Sequence, residues 1–199
     1  MVTAAMDIIA GFDEAGRGCL AGPVIAAAVI LPPEGNPIVG LADSKVLSPK
    51  ARIRLADIIK TEALAFAVGR ADPLEIDHYN ILRASLLAMQ RAFQSLSLTP
   101  TCGLIDGPHC PDLPFETRGI IHGDRLEPSI SAASILAKVA RDEEMILADT
   151  LFPGYGFALH KGYPTAAHRK ALMALGPSPI HRMSFKPVKA LTTLLEATP

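Results

Sequence analysis

Residues 6–31 read MDIIAGFDEAGRGCLAGPVIAAAVIL, and this stretch decides how the chain begins to fold. Residues 6–12 form a short apolar run that ends at the acidic pair Asp13-Glu14. Glycines follow at positions 16, 18 and 22, and residues 24–31 are β-branched and alanine-rich before Pro32-Pro33 closes the run. A strand, a tight glycine loop and a second strand predict an antiparallel pair.

Composition favours one globular domain without a strong charge. The chain has 199 residues, of which 49% are hydrophobic and 20% are charged, and its net charge is -1. A nucleic-acid partner would therefore have to meet a local basic surface. The three cysteines, Cys19, Cys102 and Cys110, match no zinc spacing and indicate free thiols. Without a secretory signal or a run of about 20 apolar residues, we expect a cytoplasmic protein outside the membrane.

The rest of the chain continues with a few strands and then mostly helices. Residues 63–68, 102–105 and 119–122 are short apolar runs that predict strands. Ser48-Pro49 and Asp72-Pro73 each combine a capping residue with proline at the first helical position. Helical spacing of apolar residues follows at 81–96 and 131–151, and shorter helices are expected at 165–175 and 188–196. This order predicts an α/β fold with a mixed sheet flanked by helices.

Acidic residues interrupt or end three of the apolar runs. Asp13 and Glu14 end the first, Asp106 follows the run at 102–105, and Asp124 follows the run at 119–122. Carboxylates at strand ends can converge on one edge of a sheet, where they repel each other unless a cation is present. Such oxygen ligands suit Mg²⁺ or Mn²⁺, and two such ions can promote phosphodiester hydrolysis. The alternative is that these acids only cap helices or form turns.

The glycine loop also allows more than one interpretation. Gly16, Gly18 and Gly22 could cradle a phosphate, let the backbone approach a substrate closely, or simply form a tight β-turn. The spacing is not that of a dinucleotide-binding fingerprint, and a strand rather than a helix is expected to follow.

Six motifs, in order, resemble the ribonuclease HII family and its bacterial members in particular. The resemblance runs from about residue 9 to residue 188, and no single motif carries it. Two positions depart from the family pattern: Cys19 stands where many members have proline, and Val46 where lysine is common. The motifs are GFDEAGRG (11–18), DSKVLS (43–48), IDG (105–107), GD with ISAASILAKVARD (123–124, 130–142), YGF with HKGY (155–157, 160–163) and HRMSFKPV (181–188).

The resemblance implies a ribonuclease H-like fold with a helical C-terminal extension. It implies one domain over residues 1–199, with a catalytic core at about 1–145 and an extension at about 146–199 packed on it. The activity implied is hydrolysis of the RNA strand in RNA–DNA hybrids and nicking 5′ of single ribonucleotides in duplex DNA by two metal ions, which leaves 5′-phosphate and 3′-hydroxyl ends. We expect Mn²⁺ or Mg²⁺ as cofactor and a monomeric enzyme.

The resemblance also assigns residues to roles. It implies Asp13, Glu14, Asp106 and Asp124 as the catalytic, metal-binding acids. It implies that the backbone of Gly16, Arg17 and Gly18 senses the ribose 2′-OH, and that Arg17, Ser44 and Lys45 hold phosphates. Tyr163 would contact the deoxyribonucleotide at the junction. The residues alone favour a different role for Tyr163, a loop tyrosine packed on the core.

Other candidates and functions stay open from the sequence. Lys138 and Arg141 could bind phosphates or lie on a solvated helix face. His160 is interpreted as a loop residue near the substrate, whereas His109, His122, His168 and His181 are interpreted as structural. The competing functions are another two-metal DNA nuclease and a non-catalytic duplex-binding module. Clustered carboxylates argue against the second, because they would repel a polyanion.

Overall fold

The computed structural model describes residues 7–33, 38–41 and 44–196. Asp43 in the second motif and Met6 at the start of the first apolar run lie outside these residues. The strands are β1 (Ile9–Ala15), β2 (Val24–Ile30), β3 (Ala65–Ala71), β4 (Cys102–Asp106) and β5 (Glu116–Ile120). The helices are α1 (Pro49–Glu62), α2 (Pro73–Tyr79), α3 (Ile81–Gln94), α4 (Gly123–Leu126), α5 (Pro128–Leu151), α6 (Phe157–His160), α7 (Ala166–Leu175) and α8 (Lys186–Glu196).

The five strands form one mixed sheet in the order β3-β2-β1-β4-β5. β1 pairs with β2 in antiparallel fashion, as the glycine loop between them predicts, and β2 pairs in the same way with β3. β4 and β5 are parallel to β1 and to each other; helices α1 to α3 precede β4, and residues 107–115 connect β4 to β5 without a helix. The predicted mixed sheet with flanking helices is confirmed.

Helices cover both faces of this sheet. One core cluster joins the sheet to α3 through side chains such as Phe12, Ile105 and Met89, which are all buried. The second joins the opposite face to α1 and α5 through Val29, Ile59 and other buried side chains. β2 is buried along its whole length, which explains its apolar sequence without polar alternation.

Two glycines allow helices to lie directly on the strands. A Cβ atom at Gly11 in β1 would lie 2.2 Å from the carbonyl carbon of Ser129 in α5. A Cβ at Gly69 in β3 would lie 2.2 Å from the carbonyl oxygen of Ala88 in α3. Both contacts are with backbone, so a larger residue would push the helix away from the sheet.

The helix starts agree with the capping signals. Ser48 accepts a hydrogen bond from the Ala51 amide at 3.2 Å, and Pro49 is the first residue of α1. Asp72 and Glu75 form a reciprocal capping box at the start of α2. The longest helix, α5, starts at Pro128 and continues unbroken past position 145, so the expected boundary between core and extension falls inside a helix.

Several predicted boundaries were wrong, and one matters for the site. β1 extends through both acids to Ala15, because β2 continues to pair with it there. β5 ends at Ile120, and Asp124 lies in the first turn of α4 rather than at a strand end. The apolar run at 119–122 misled the prediction because Ile121 is an exposed residue after the strand.

Candidate active site

Asp13 and Asp106 lie side by side on neighbouring parallel strands. The pairing of β1 with β4 ends at Phe12 and Ile105, and each acid is the next residue along its strand. Residues at matching positions of parallel strands project from the same face of the sheet. Tertiary pairing thus brings together two acids that are 93 positions apart in the chain.

Asp13 is a buried carboxylate among negative neighbours. Its side chain accepts a hydrogen bond from the Glu14 amide at 2.6 Å and another from the Ser134 hydroxyl in α5. Burial first, and then the charges of Glu14 and Asp106, raise the pKa of Asp13 well above its usual value. A cation at this position would offset both effects, because it stabilises the ionised form.

Glu14 points to the other face of the sheet. Successive residues of a strand alternate in direction, and Glu14 lines a small hollow with Leu82 and Met89 of α3, which Asp106 also borders. Burial raises the pKa of Glu14, although the Arg17 guanidinium lies 3.1 Å from its carboxylate and lowers it. Glu14 therefore borders the site from the α3 side, while Asp13 borders it from the α5 side.

Asp124 joins the acids through the first turn of α4. Its amide donates a hydrogen bond to the Asp106 carboxylate at 3.4 Å. Its own carboxylate is buried, and Lys45 Nζ lies 4.0 Å from it. The structure thus brings Asp13, Glu14, Asp106 and Asp124 to one end of the sheet, as convergence of the acids predicts.

The chemistry of these donors fits a hard divalent cation, although their side chains are not gathered around one point. Within residues 7–33, 38–41 and 44–196, no three His, Cys, Asp or Glu side chains are arranged to hold one metal ion. Asp13 and Glu14 project to opposite faces, and the Arg17 ion pair holds Glu14. Hard oxygen donors of this kind are nevertheless the ligands that Mg²⁺ and Mn²⁺ take in proteins.

The glycine loop at residues 16–22 is held from inside by two fully buried arginines that the sequence did not identify as such. Arg182 donates to the carbonyl oxygens of Gly16 and Arg17 at 2.8 and 2.9 Å, and also to those of Gly22 and Pro23. Arg141 donates to the carbonyls of Ala21, Pro23 and Lys161. Arg141 is 0% exposed, so it lies neither on a solvated helix face nor at a phosphate.

These carbonyl contacts determine which way the loop amides face. The peptide bonds are trans, so each amide N–H points opposite to the preceding carbonyl. Because the Gly16 and Arg17 carbonyls point inward to Arg182, the amides of Arg17 and Gly18 point away from it. Arg17 and Gly18 are exposed, and these two donors therefore face the open side of the loop.

Gly16 and Gly18 differ in their backbone conformation and in the space available for a Cβ atom. Gly16 has φ +98°, and a Cβ there would lie 2.0 Å from Arg141 Nε. Gly18 has no positive φ, and a Cβ there meets nothing within 4 Å. The backbone conformation therefore requires glycine at position 16 and not at position 18.

Ser44 and Lys45 lie beside the acids, next to α5. The hydroxyl oxygens of Ser134 and Ser44 lie 2.9 Å apart; because the single hydroxyl proton of Ser134 is donated to Asp13, the Ser44 hydroxyl donates to Ser134. Arg52 of α1 is buried and donates to the carbonyl oxygens of Ser44 and Leu47 at 2.6 and 2.8 Å. Ser134 and Arg52 therefore connect this loop to the acids and to α1, a role that no spacing in the sequence indicated.

Tyr163 lies beside the glycine loop with its ring 38% exposed. Its hydroxyl bonds the buried thiol of Cys19, and burial raises the pKa of the phenol. Lys138 Nζ and Arg141 Cζ lie 5.4 and 5.8 Å from the ring centroid. Lys138 also pairs with Asp142 at 2.6 Å, so its charge is engaged on the protein.

The chain resembles known proteins over most of its length. The Ribonuclease HII family model matches residues 10–188. A ribonuclease HII of Nitrosococcus oceani is 59% identical over 181 residues, which cover 91% of this chain and 90% of that protein. The crystal structure of ribonuclease H2 from Pyrococcus horikoshii OT3 has a TM-score of 0.78 at 24% identity and covers 96% of this chain and 99% of its own. Bst-RNase HIII in complex with Mn²⁺ has a TM-score of 0.76 at 20% identity, over 94% of this chain and 70% of its own.

Fold, site and similarity agree on the kind of protein. The mixed sheet with acids on adjacent parallel strands defines an α/β protein of the ribonuclease H-like class. The chain belongs to the ribonuclease HII family. It is a ribonuclease H, an endonuclease that hydrolyses phosphodiester bonds. In the part of the chain that the structure describes, no helix is long and apolar enough to cross a membrane.

Proposed function

We propose that this enzyme hydrolyses the RNA strand of RNA–DNA hybrids and nicks 5′ of single ribonucleotides embedded in duplex DNA, leaving 5′-phosphate and 3′-hydroxyl ends. The observation that carries the proposal is the pair Asp13 and Asp106 on adjacent parallel strands, directly before a loop with two outward amides. The acids supply the hydrolytic site, and the loop supplies donors for a ribose hydroxyl.

We propose that Asp13, Glu14, Asp106 and Asp124 bind Mg²⁺ or Mn²⁺. Support comes from the hard oxygen donors, the unfavourable burial of Asp13, and the fold shared with Bst-RNase HIII, which was solved with Mn²⁺. Two such ions, when bound, would activate a water and stabilise the leaving oxygen of the phosphodiester.

The substrate contacts proposed for this chain's residues follow from their exposure. The amides of Arg17 and Gly18 are free to face a 2′-OH, the group that distinguishes RNA from DNA. Gly16 permits the turn that aims them. The exposed ammonium of Lys45 and the exposed guanidinium of Arg17 suit phosphate oxygens. Ser44 is also proposed as a phosphate ligand for its hydroxyl, although it is buried against Ser134.

Tyr163 is proposed to contact the deoxyribose on the 3′ side of the ribonucleotide. Its ring is partly exposed, whereas its hydroxyl and backbone are bonded to the protein. A flat ring held in this way can lie against a sugar, and Lys138 and Arg141 contact it from the protein side.

Incubation with a duplex that contains one ribonucleotide, in Mg²⁺, Mn²⁺ or chelator, tests the proposal. We expect one nick on the 5′ side of the ribonucleotide, in either metal and not in chelator. A duplex with deoxyribose at that position is the matched control and should stay intact. Comparable cutting of the all-DNA duplex would indicate a two-metal DNA nuclease, and binding without any cutting would indicate a duplex-binding module.

A further inference from the structure

Three histidines lie beneath the loop that carries Tyr163. The rings of His160 and His168 stack with centroids 4.3 Å apart and an interplanar angle of 13°. His168 in α7 and His181 are 0% and 1% exposed, and their Nε2 atoms lie 3.0 Å apart. Two buried imidazoles in direct contact require a definite arrangement of protons, because one must donate and the other accept.

The partners at both ends fix that arrangement. His168 Nδ1 lies 2.9 Å from the Tyr163 carbonyl oxygen, which can only accept, so His168 carries its proton on Nδ1. The Ser178 amide donates to His181 Nδ1 at 2.9 Å, so His181 is unprotonated there. His181 must therefore donate from Nε2 to His168 Nε2, and both rings are neutral.

These bonds connect the Tyr163 loop to the segment that closes on the glycine loop. The Leu20 amide donates to the Gly162 carbonyl, next to Tyr163, at 2.8 Å. The Leu20 carbonyl accepts from the Arg182 amide, next to His181, at 2.8 Å, and Ala21 forms a β-bridge with His181. The histidine pair thus completes a ring of contacts around the glycine loop, with Tyr163 at one end.

We propose that Ser178, His181 and His168 form a directional hydrogen-bond chain that fixes the Tyr163 backbone relative to the glycine loop and thereby sets selectivity for a lone ribonucleotide. The proposal rests on the proposed junction contact of Tyr163. His168 and His181 are positioning residues, since both act through Tyr163 and touch no substrate.

The groups around His168 and His181 keep both rings uncharged. Tyr155, Phe157 and His160 face the pair, and burial followed by the neighbouring histidine lowers the pKa of His181 to about 4. Burial likewise lowers the pKa of His168. A proton added to either ring would place two N–H groups against each other across the 3.0 Å contact.

Long-range ¹H–¹⁵N NMR of the full-length protein, labelled at histidine, tests the hydrogen-bond chain without any activity measurement. At pH 7 we expect His168 as the Nδ1–H tautomer, the minor form of free imidazole, and His181 as the Nε2–H tautomer. An Nε2–H tautomer or a charged ring at His168 would overturn the proposal. This measurement needs no variant, so it holds even where a substitution prevents folding.

A matched pair of variants tests the effect on selectivity. In His168→Asn the amide nitrogen occupies the place of Nδ1 and can still donate to the Tyr163 carbonyl. In His168→Gln the amide reaches the place of Nε2 and contacts only His181. We expect His168→Gln to reduce kcat/KM on a single ribonucleotide relative to a long hybrid by about tenfold, the effect of about 1.4 kcal/mol. His168→Asn keeps the Tyr163 bond and loses only the His181 bond, so it should reduce the ratio by a smaller factor, about threefold.

Tyr163→Ala separates this proposal from the one on which it rests. If Tyr163→Ala changes the ratio and the two His168 variants behave alike, the hydrogen-bond chain is refuted and the junction contact stands. If Tyr163→Ala leaves the ratio unchanged, the junction contact fails and the selectivity role of the chain fails with it.

Discussion

At the scale of single residues, Asp13 is the most sensitive position of the site. It is 5% exposed and lies between two other carboxylates, which raise its pKa. A carboxyl whose pKa is raised by folding destabilises the metal-free protein at pH above that pKa. The destabilisation grows as pH rises above the ordinary pKa of a carboxyl group, and a bound cation would offset it.

Asp13→Asn should separate catalysis from stability. We expect the cleavage rate to fall below about a tenth of the wild-type rate, a barrier increase of more than about 1.4 kcal/mol. Without metal, its melting temperature should rise above that of the wild type, because the buried charge is removed. Mn²⁺ should raise the melting temperature of the wild type more than that of the variant. Asp57→Asn on the exposed surface of α1 is the control, and similar behaviour of both variants would argue against metal ligation by Asp13.

Gly16 and Gly18 should respond differently to alanine. Gly16→Ala places a Cβ at positive φ and against Arg141, so we expect a loss of about 1–3 kcal/mol in the free energy of unfolding. The Cβ atom added in Gly18→Ala points into open space, so the free energy of unfolding should stay unchanged. The same atom should impair cutting, because it would crowd the ribose. Urea unfolding and cleavage rates check both, and full activity of Gly18→Ala would remove Gly18 from the substrate contact.

Tyr163→Ala should affect one substrate more than the other. The ring is partly exposed and lies outside the buried core clusters, so we expect little change in melting temperature. Cutting at a lone ribonucleotide should fall more than cutting within a long hybrid, by about tenfold if the contact contributes about 1.4 kcal/mol. Equal losses on both substrates with a lower melting temperature would instead identify a packing residue.

At the scale of elements, the glycine loop depends on Arg182, which lies 160 positions after Gly22 in the sequence. Arg182 donates hydrogen bonds to four backbone carbonyl oxygens, an arrangement that lysine cannot match, since a guanidinium is a planar fork and an ammonium is one compact charge. Burial lowers the pKa of Arg182 to about 10, and Cys19 and Asp77 partly offset this. The loop is therefore built by the C-terminal segment as well as by β1 and β2.

Arg182→Lys should therefore weaken the loop. Lysine would leave some of the Gly16, Arg17, Gly22 and Pro23 carbonyls without a donor, at about 1–3 kcal/mol for each buried unsatisfied group. We expect a lower melting temperature and faster amide exchange at residues 16–22. Lys189→Arg on exposed α8 is the control for charge exchange, and unchanged exchange rates in Arg182→Lys would contradict the role.

The elements could be predicted where local signals were strong. The antiparallel pair β1 and β2 followed from two apolar runs and a glycine turn, and α1 and α2 followed from Ser48-Pro49 and Asp72-Pro73. The end of β5 could not be predicted, because its apolar pattern is weak and pairing with β4 alone defines it. Local pattern therefore identified capped helices and buried strands, and missed an edge strand.

At the scale of the whole molecule, the buried histidines connect stability to pH. The pKa of His181 falls from 6.5 to about 4 on folding, so the unfolded chain binds more protons between these values. Stability is then lost as pH falls from about 6.5 toward 4, by about 1–3 kcal/mol at about 1.4 kcal/mol for each pKa unit.

Urea unfolding between pH 7 and pH 4.5 measures this dependence. The raised pKa values of Asp13 and Glu14 act in the opposite direction, since protonation of these acids favours the folded state. The difference between wild type and His181→Asn therefore isolates the histidine contribution. We expect the variant to lose less stability than the wild type over this range, and parallel curves would contradict the buried neutral pair.

The sequence by itself determined the mixed sheet, the first antiparallel pair, the main helices and the set of acids. These depend on apolar periodicity, capping residues and motif order, which are local and directly readable. Only the tertiary structure decided that Asp13 lies beside Asp106, that Asp124 belongs to a helix turn, and that Arg141 and Arg182 are buried under the glycine loop. Strand register and burial depend on partners distant in the chain, so a polar residue's environment does not follow from its neighbours in sequence.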